Sequence, residues 1–553
     1  MEPVLIAGAG PVGLMTALLL ARWQVPTVVL EAAAERTAVG SRAICFQRDV
    51  LDIFDRVGCA DDMVSEGVTW TKGRTFYREH ELFTVTFPDP SQTSPRGVPG
   101  HRGVGGVPRP AERPPGLAQP PWINLSQDHA ESLLHARAAA EPLIDLRFGH
   151  QVTAIKQDEC GVVVTAQAGQ CQADVRGTHL VGADGARSAV RQLLGIGFPG
   201  ESYSDQFLIC DIQAELPFPN ERRFFFDPSW NPGRQVLVHQ CPGGVWRIDW
   251  QVPADFDLAA ERGSGGLDAR VRQITDGVPY EIVWATAYRF HERVAESFGA
   301  GRAFLAGDAA HLYAPFGARG LNSGAQDAEN VAWKLAFVKR GWSPPDLLDS
   351  YHAERAAAAA ENLNVTTTTM EFLVPQTDER RRWRIEVLDR AVGDQAARRL
   401  IDSGKLAEPF WYTASPLTTP GPSLEGFPVA PGAVRPPVPG VLCPDGPVTV
   451  AGNQTRLRRL FGDGLVILTQ QAAEAVAAAE LAASAIAAPV RCLSLADIDV
   501  TGALRHSLDA TADSVHVIRP DGHLAAVLPR FDRVEISAAL RRAAGIDRPL
   551  TGV

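Results

Sequence analysis

Three acidic residues stand where short apolar runs stop: Glu31 after Thr27–Leu30, Asp184 after Leu180–Ala183, and Asp308 just beyond Ala303–Ala306. Runs of that length and character read as buried strands, so each carboxylate emerges at a strand end, where a ligand can meet it. Upstream of Glu31 lies Gly8-Ala9-Gly10-Pro11-Val12-Gly13, set between the apolar run Val4–Ala7 and a helical pattern through Leu20. There Gly8 permits the turn, Gly10 lets a diphosphate approach the backbone, and Gly13 lets helix and strand pack closely. The helix N-terminus faces the phosphates. Glu31, eighteen residues after Gly13, can accept both hydroxyls of an adenosine ribose and disfavours a 2'-phosphate, so FAD or NAD is expected rather than NADP.

Gly307-Asp308 opens a longer constellation. Pro315, Gly317 and Gly320 follow in a loop, then a helix with Val331, Leu335 and Val338 at helical spacing. The two loop glycines let backbone come close to a flat object, and the first free amides of the helix face it with partial positive charge. A ring system that turns anionic on reduction suits that place, and Arg319 is expected to add a full charge there. Arg42, in Ser41-Arg42-Ala43 after the first βαβ unit, is either a surface arginine or one placed to reach a pyrophosphate.

These residues need a large scaffold. At 553 residues with 45% hydrophobic, the chain is expected to form two or three domains. Its net charge of -11 and the lack of a basic cluster interleaved with aromatics argue against nucleic acid as a partner. No apolar run reaches the ~18 residues of a membrane helix, and PVLIAGAG lacks a basic flank, so a soluble cytoplasmic protein is expected. The eight cysteines and thirteen histidines show no metal spacing.

Along the chain, Pro88–Pro121 is rich in proline and glycine and is expected to be a mobile loop, either a bare insertion or a flap over a substrate entrance. A short strand over Asn124–Gln127 leads to a helix through Ala140. Strand patterns recur at Phe207–Ile212, Arg222–Phe226, Gln235–Gln240, Val245–Val252 and Glu281–Tyr288, with a hairpin turn at Cys241–Gly244. Alternation sets Trp246, Ile248 and Trp250 on one face and Arg247, Asp249 and Gln251 on the other. Helices over Pro344–Met370 and Asp378–Ile401 are expected to brace this sheet and supply a dimer contact. A proline-rich linker, residues 416–446, precedes a last unit of strand-helix-strand alternation, 447–553.

The N-terminal fingerprint with Glu31, the central Ala183-Asp184-Gly185-Ala186-Arg187-Ser188 and the later Gly307-Asp308-Ala309-Ala310-His311 with Pro315-Phe316-Gly317 and Gly320-Leu321-Asn322 resemble the single-component FAD-dependent aromatic hydroxylases. Within them the look is of 3-(3-hydroxyphenyl)propionate hydroxylase, pentachlorophenol monooxygenase and antibiotic-tailoring hydroxylases. That resemblance implies an α/β fold. A Rossmann-like FAD-binding domain (1–72, 122–195, 290–343) interleaves with a substrate-binding sheet (73–121, 196–289), a helical brace (344–415) follows, and a thioredoxin-like domain without C-x-x-C ends the chain. It implies that Gly8, Gly10, Gly13 and Glu31 hold the FAD diphosphate and ribose, Arg42 and Gln127 its linker region, and Val152 the adenine through backbone. Asp308 would hold the ribityl chain, while Pro315, Gly317, Gly320, Leu321 and Asn322 line the ring. Asp184, Gly185 and Arg187 match a motif used for both FAD and NADPH. Ala318-Arg319 departs from the Gly-Gln of many relatives.

The implied reaction hydroxylates a phenolic or other electron-rich aromatic substrate with dioxygen. NADPH or NADH, a transient visitor, reduces the FAD, and a flavin hydroperoxide delivers the oxygen. Phe226, His239 and Trp246 are candidates to touch substrate, and His239 and Arg42 are the catalytic candidates, His239 because its reference pKa suits phenol deprotonation. A homodimer or higher homo-oligomer is expected. The alternatives are a non-catalytic flavin-binding escort or sensor, and a flavin-dependent halogenase, whose W-x-W-x-I-P element is absent.

Overall fold

A computed structural model of the chain describes residues 1–36, 43–88, 116–421 and 435–547. Arg42 and most of the segment expected to be a flap lie outside them.

Four runs singled out by their apolar character become adjacent parallel strands. Ala303–Leu305, Leu180–Gly182, Val4–Ala7 and Thr27–Leu30 lie side by side, extended by Ile144–Arg147 and, at the other edge, by antiparallel Gly299–Ala300. The four are buried at every position, as a parallel sheet covered on both faces requires. Helices Pro11–Arg22 and Arg319–Lys339 pack together in its core.

A second, eight-stranded sheet is antiparallel except where Arg222–Phe226 runs parallel to Lys72–Tyr77. Its long central strands, Gly200–Ala214, Val245–Val252 and Tyr280–Val294, pair antiparallel as adjacent alternating sequences do. Both of its faces are buried. One packs on helices Asp349–Leu373 and Asp378–Ala391 through Phe226, Phe372 and Leu388, and the other on Leu258–Ser264 and Gly266–Thr275 through Trp246, Ile248, Trp250 and Val271. A three-stranded sheet of Cys45–Gln47, Trp122–Asn124 and Val68–Trp70 closes the space between the two large sheets.

Some boundaries differ from the sequence reading. The strand expected over Asn124–Gln127 ends at Asn124, because Ser126 accepts the His129 N–H and starts a helix at Gln127. The helix expected over Asp378–Ile401 breaks after Ala391 and restarts at Gln395 behind Asp394, whose side chain caps it. The last unit holds a four-stranded sheet in the order Val490–Ser494, Leu465–Thr469, Val515–Ile518, Leu524–Leu528, the first pair parallel and the rest antiparallel, beside a hairpin of Pro447–Val450 and Asn453–Arg456. The stretch expected as a linker is stitched to it: the N–H groups of Thr419, Gly440 and Cys443 donate to Ala525, Leu524 and Gly522. No helix among the described residues is long and apolar enough to cross a membrane.

Candidate functional site

Because the four parallel strands are in register, with Ala7 beside both Gly182 and Leu30, and Gly182 beside Leu305, their carboxyl ends share one edge. Gly8–Gly10, Glu31, Asp184-Gly185 and Gly307-Asp308 therefore meet, where open α/β sheets bind ligands. Gly8 has φ +100, and a Cβ on it would sit 2.4 Å from the Ala183 carbonyl oxygen; a Cβ on Gly13 would lie 2.0 Å from the Gly8 oxygen. Those two glycines serve close packing. Gly10, Gly185 and Gly320 differ, for a Cβ on any of them would meet nothing within 4 Å.

Helix Pro11–Arg22 begins at Gly10 and helix Arg319–Lys339 at Ala318, and neither has a side-chain cap or an acid in its first turn. Two bare helix N-termini fronted by open glycines fit a molecule that carries a diphosphate at one end and a ring that gains negative charge at the other. Asp308 is exposed between buried Gly307 and Ala309. Glu31 accepts the Ala9 and Ala33 N–H groups, each at 2.8 Å, and each oxygen keeps a lone pair for a ribose hydroxyl. These residues fit FAD.

Other expected residues fall as follows. Asp184 accepts from Ser188 at 2.5 Å and from the Val190 N–H at 3.0 Å, so it also caps the next helix. Gln127 donates to Glu131 at 2.7 Å, and Val152 is buried in a separate three-stranded sheet beside Ala166. Pro315 is exposed, Leu321 half-buried, and Gly317, at φ +86, lies under the Lys405 carbonyl. Asn322 is fully engaged, accepting from the Gln47 N–H at 3.1 Å and donating to Cys45 O at 3.0 Å and Ala318 O at 2.6 Å. It ties the glycine loop to strand Cys45–Gln47.

Arg319 lies against the glycine loop, its Nε 3.4 Å from where a Cβ on Gly317 would stand, and its guanidinium donates to Asn362 at 2.5 Å and to the Lys405 carbonyl at 3.1 Å. One expectation is corrected. Trp246 lies on the far face of the eight-stranded sheet, against Phe218 and the two outer helices, one pleat out of phase with His239. Phe226 does share the His239 face, but it is buried among Phe224, Phe372 and the Arg384 guanidinium.

The row that alternates with Trp246 forms the wall towards the glycine loop. His239 pairs across the sheet with Arg247, and Arg247 with Asp211, so the three share one face. Arg247 forks onto Asp211 with contacts of 2.8 and 2.7 Å. Asp249 is next along that face. Burial, reinforced by Asp211 and opposed by Arg247, pushes its carboxyl up to about 7. Burial and the nearby Arg222 and Arg247 hold the His239 imidazole well below its ordinary value, so it is neutral. His239 Nδ1 and Asp249 Oδ1 are buried without a hydrogen-bond partner among the described residues. Opposite stands an aromatic box: Trp70 and Trp122 stack at 5.5 Å, Trp70 lies 6.3 Å from His239, and Cys45, Cys241, Ala318 and Ala407 pack around them. Asn124 pins the box, accepting from Trp70 Nε1 at 2.8 Å and Cys45 Sγ at 3.1 Å. Sequence reasoning placed Asp249 on the right row without marking it, and missed Arg222, Trp70 and Cys45. The signal for Asp249 was an acid within an otherwise strand-like, aromatic run.

The comparisons with known proteins bear on the family and the fold. The family described as FAD binding domain matches residues 1–366, and the one described as aromatic-ring hydroxylase, C-terminal, matches residues 436–546. A rifampicin monooxygenase from Streptomyces venezuelae is 31% identical over 72% of this chain and 75% of its own. A dialkyldecalin synthase from Streptomyces rugosporus is 32% identical over 67% of this chain and 74% of its own. A crystal structure of aklavinone-11 hydroxylase with FAD and aklavinone superposes with a TM-score of 0.75 at 25% identity, covering 98% of this chain and 99% of that one.

Proposed function

The chain belongs to the family of FAD-dependent aromatic hydroxylases, and from that membership we propose how this monooxygenase's own residues do their work. The substrate is an electron-rich aromatic ring bearing a hydroxyl, and it lies between the Trp70–Trp122 box and the wall of His239, Arg222 and Asp249. Bound FAD, reduced by NADPH or NADH, supplies the activated oxygen. Gly10 and Glu31 hold its diphosphate and ribose on a turn that Gly8 and Gly13 pack tightly, Asp308 its ribityl chain, and Gly320, Leu321 and Asn322 its ring, with Asp184 and Gly185 beside them. The bare N-terminus of Arg319–Lys339 receives the negative charge that reduction brings. The aromatic box keeps water from the reacting face.

The observation that carries this reading is the convergence of four strand ends on one edge, with the Trp70–Trp122 pair and the polar row of the sheet tied to the same loop through Asn322 and Cys45. The strand order and pairing of the last unit, a βαβ followed by an antiparallel pair, support a thioredoxin-like fold. Exposed Trp383 and Ile385 on the bracing helix offer a surface for a homodimer. The synthase among the relatives favours one second reading, a flavoprotein whose pocket shapes a substrate without oxygen transfer. The test is NADPH oxidation by the yellow protein across a panel of phenols and polyketide aromatics, with product mass. Substrate-stimulated consumption with a hydroxylated product supports hydroxylation; turnover of a substrate without NADPH consumption supports the second reading.

A further inference from the structure

One oxygen of the half-buried Asp249 carboxylate is left unused by the fold. The guanidinium of Arg247, its neighbour on the same face, is already committed to Asp211 through both oxygens, and Asp249 Oδ1 is buried without a partner among the described residues. A buried carboxylate with no partner is costly and is found where a ligand completes it. Its surroundings belong to the reaction chamber. Cys45, in the aromatic box, feels Arg222, Arg247 and Asp249 together, and the Cys45 carbonyl is held by Asn322 of the glycine loop. The charged and titratable groups around Asp249 are Arg247 on its own strand, Asp211 on Gly200–Ala214, Cys45 on Cys45–Gln47 and Cys241 at the hairpin turn, with Arg222 and His239 beyond.

Resting on the hydroxylase reading, we propose that Asp249 is the catalytic base that takes the proton from the substrate's ring hydroxyl. The phenolic O–H bond breaks, a new O–H bond forms at Asp249 Oδ1, and the electron pair stays on the phenolate oxygen, facing the guanidinium groups of Arg222 and Arg247. The negative charge passes from a carboxylate that lacks a partner to an oxygen beside two cations. After oxygen has joined the ring, the ring carbon that received it loses its hydrogen as a proton to solvent water, its electron pair restores the aromatic ring, and Asp249 returns its own proton to the former carbonyl oxygen. His239 is a poor base here, since a proton on it would add a third positive charge beside Arg222 and Arg247. It is a positioning residue that accepts a hydrogen bond. The raised Asp249 carboxyl matches the task, because a base titrating near the working pH combines availability with driving force.

The test uses the FAD-loaded enzyme and its Asp249→Asn and Asp249→Glu variants, with 4-nitrophenol as a probe whose absorbance distinguishes phenol from phenolate. Flavin content and circular dichroism establish that the variants are folded. The wild type is expected to bind the probe with a larger phenolate fraction than free solution shows at the same pH, Asn to bind it as the phenol, and Glu to restore part of the phenolate band. Hydroxylation of the phenol that best drives NADPH oxidation is expected to fall about 100-fold at neutral pH in Asp249→Asn, and to recover where that phenol ionises by itself. An unchanged phenolate band and pH profile in Asp249→Asn, or a wild type that binds the probe only as phenol or not at all, overturns the assignment. Absence of NADPH oxidation with every phenol removes the hydroxylase reading instead, and the two failures are separately visible.

Discussion

Two buried polar clusters in this molecule are built in opposite ways. At the seam between the first part of the chain and the last unit, Asp49, Asp52 and Asp55 line one face of helix Arg48–Arg56 and meet Arg435, Arg456, Arg458 and Arg459. Arg458 alone donates to Asp49 at 2.6 Å, Asp52 at 2.9 Å and Cys443 O at 2.9 Å. Burial raises the Asp49 carboxyl, but Arg435 and Arg458 outweigh it and hold it well below the usual carboxylate range. A second knot joins Lys334, Glu354, Arg519 and Asp521, with Glu354 likewise held low. A cavity among the seam residues has room for about one water. On the inner wall of the eight-stranded sheet, by contrast, Asp249 and His239 are left with bare atoms. Carboxylates met on every side by guanidinium groups fix how parts sit together; a buried carboxylate oxygen that the fold leaves unmet is a place where a ligand can complete it.

The seam gives the sharpest way to break this contrast. Arg458→Met leaves Asp49 to Arg435 and Asp52 to Arg456 alone, and unfolding in urea should show a loss of about 1.5–3 kcal/mol; a loss below about 1 kcal/mol would mean that the seam is not the tight network described. Because Asp49 and Asp55 are held low, their contribution to the seam is present above the unfolded value and is lost as pH falls below about 4, while Asp52, raised by burial, opposes it. Next in size, Asp308→Ala should lower FAD affinity about 10- to 100-fold while circular dichroism is unchanged, and a variant purified fully yellow contradicts the placement. Asp249→Asn acts in the opposite sense to the seam. Its carboxyl is raised, so the native state holds a proton that the unfolded chain has released between about 4 and 7, and wild-type stability falls as pH rises through that window. At pH 8 the variant should melt roughly 2–4 °C higher than wild type, with the gap closing towards pH 4; an equal gap at both ends refutes the raised carboxyl. Smallest of all, Trp246→Phe should cost about 1 kcal/mol of stability and leave KM for the aromatic substrate unchanged, since its ring faces the outer helices.

The sequence showed the strand ends clearly, since apolar runs that stop at an acid or a glycine carry their own boundary. Gly8, Glu31, Asp184 and Asp308 could be read that way, and register brought them together. The faces of the eight-stranded sheet were half legible. Alternation separated Trp246 from Asp249, but both faces are buried, so hydrophobicity could not say which looks at the ligand. The seam left a trace in the i, i+3, i+6 spacing of Asp49, Asp52 and Asp55 and in Arg456-Leu-Arg-Arg459, yet nothing local links partners about four hundred residues apart.

The central claim is that these converging strand ends hold one flavin beside an aromatic guest and put oxygen on it. The most direct measurement supplies isotopically labelled dioxygen and NADPH to the yellow protein with the phenol that best stimulates it, and reads the product mass. A product carrying one labelled oxygen is the expected result. NADPH consumed with the phenol returned unlabelled, or a product whose new oxygen comes from water, contradicts the account.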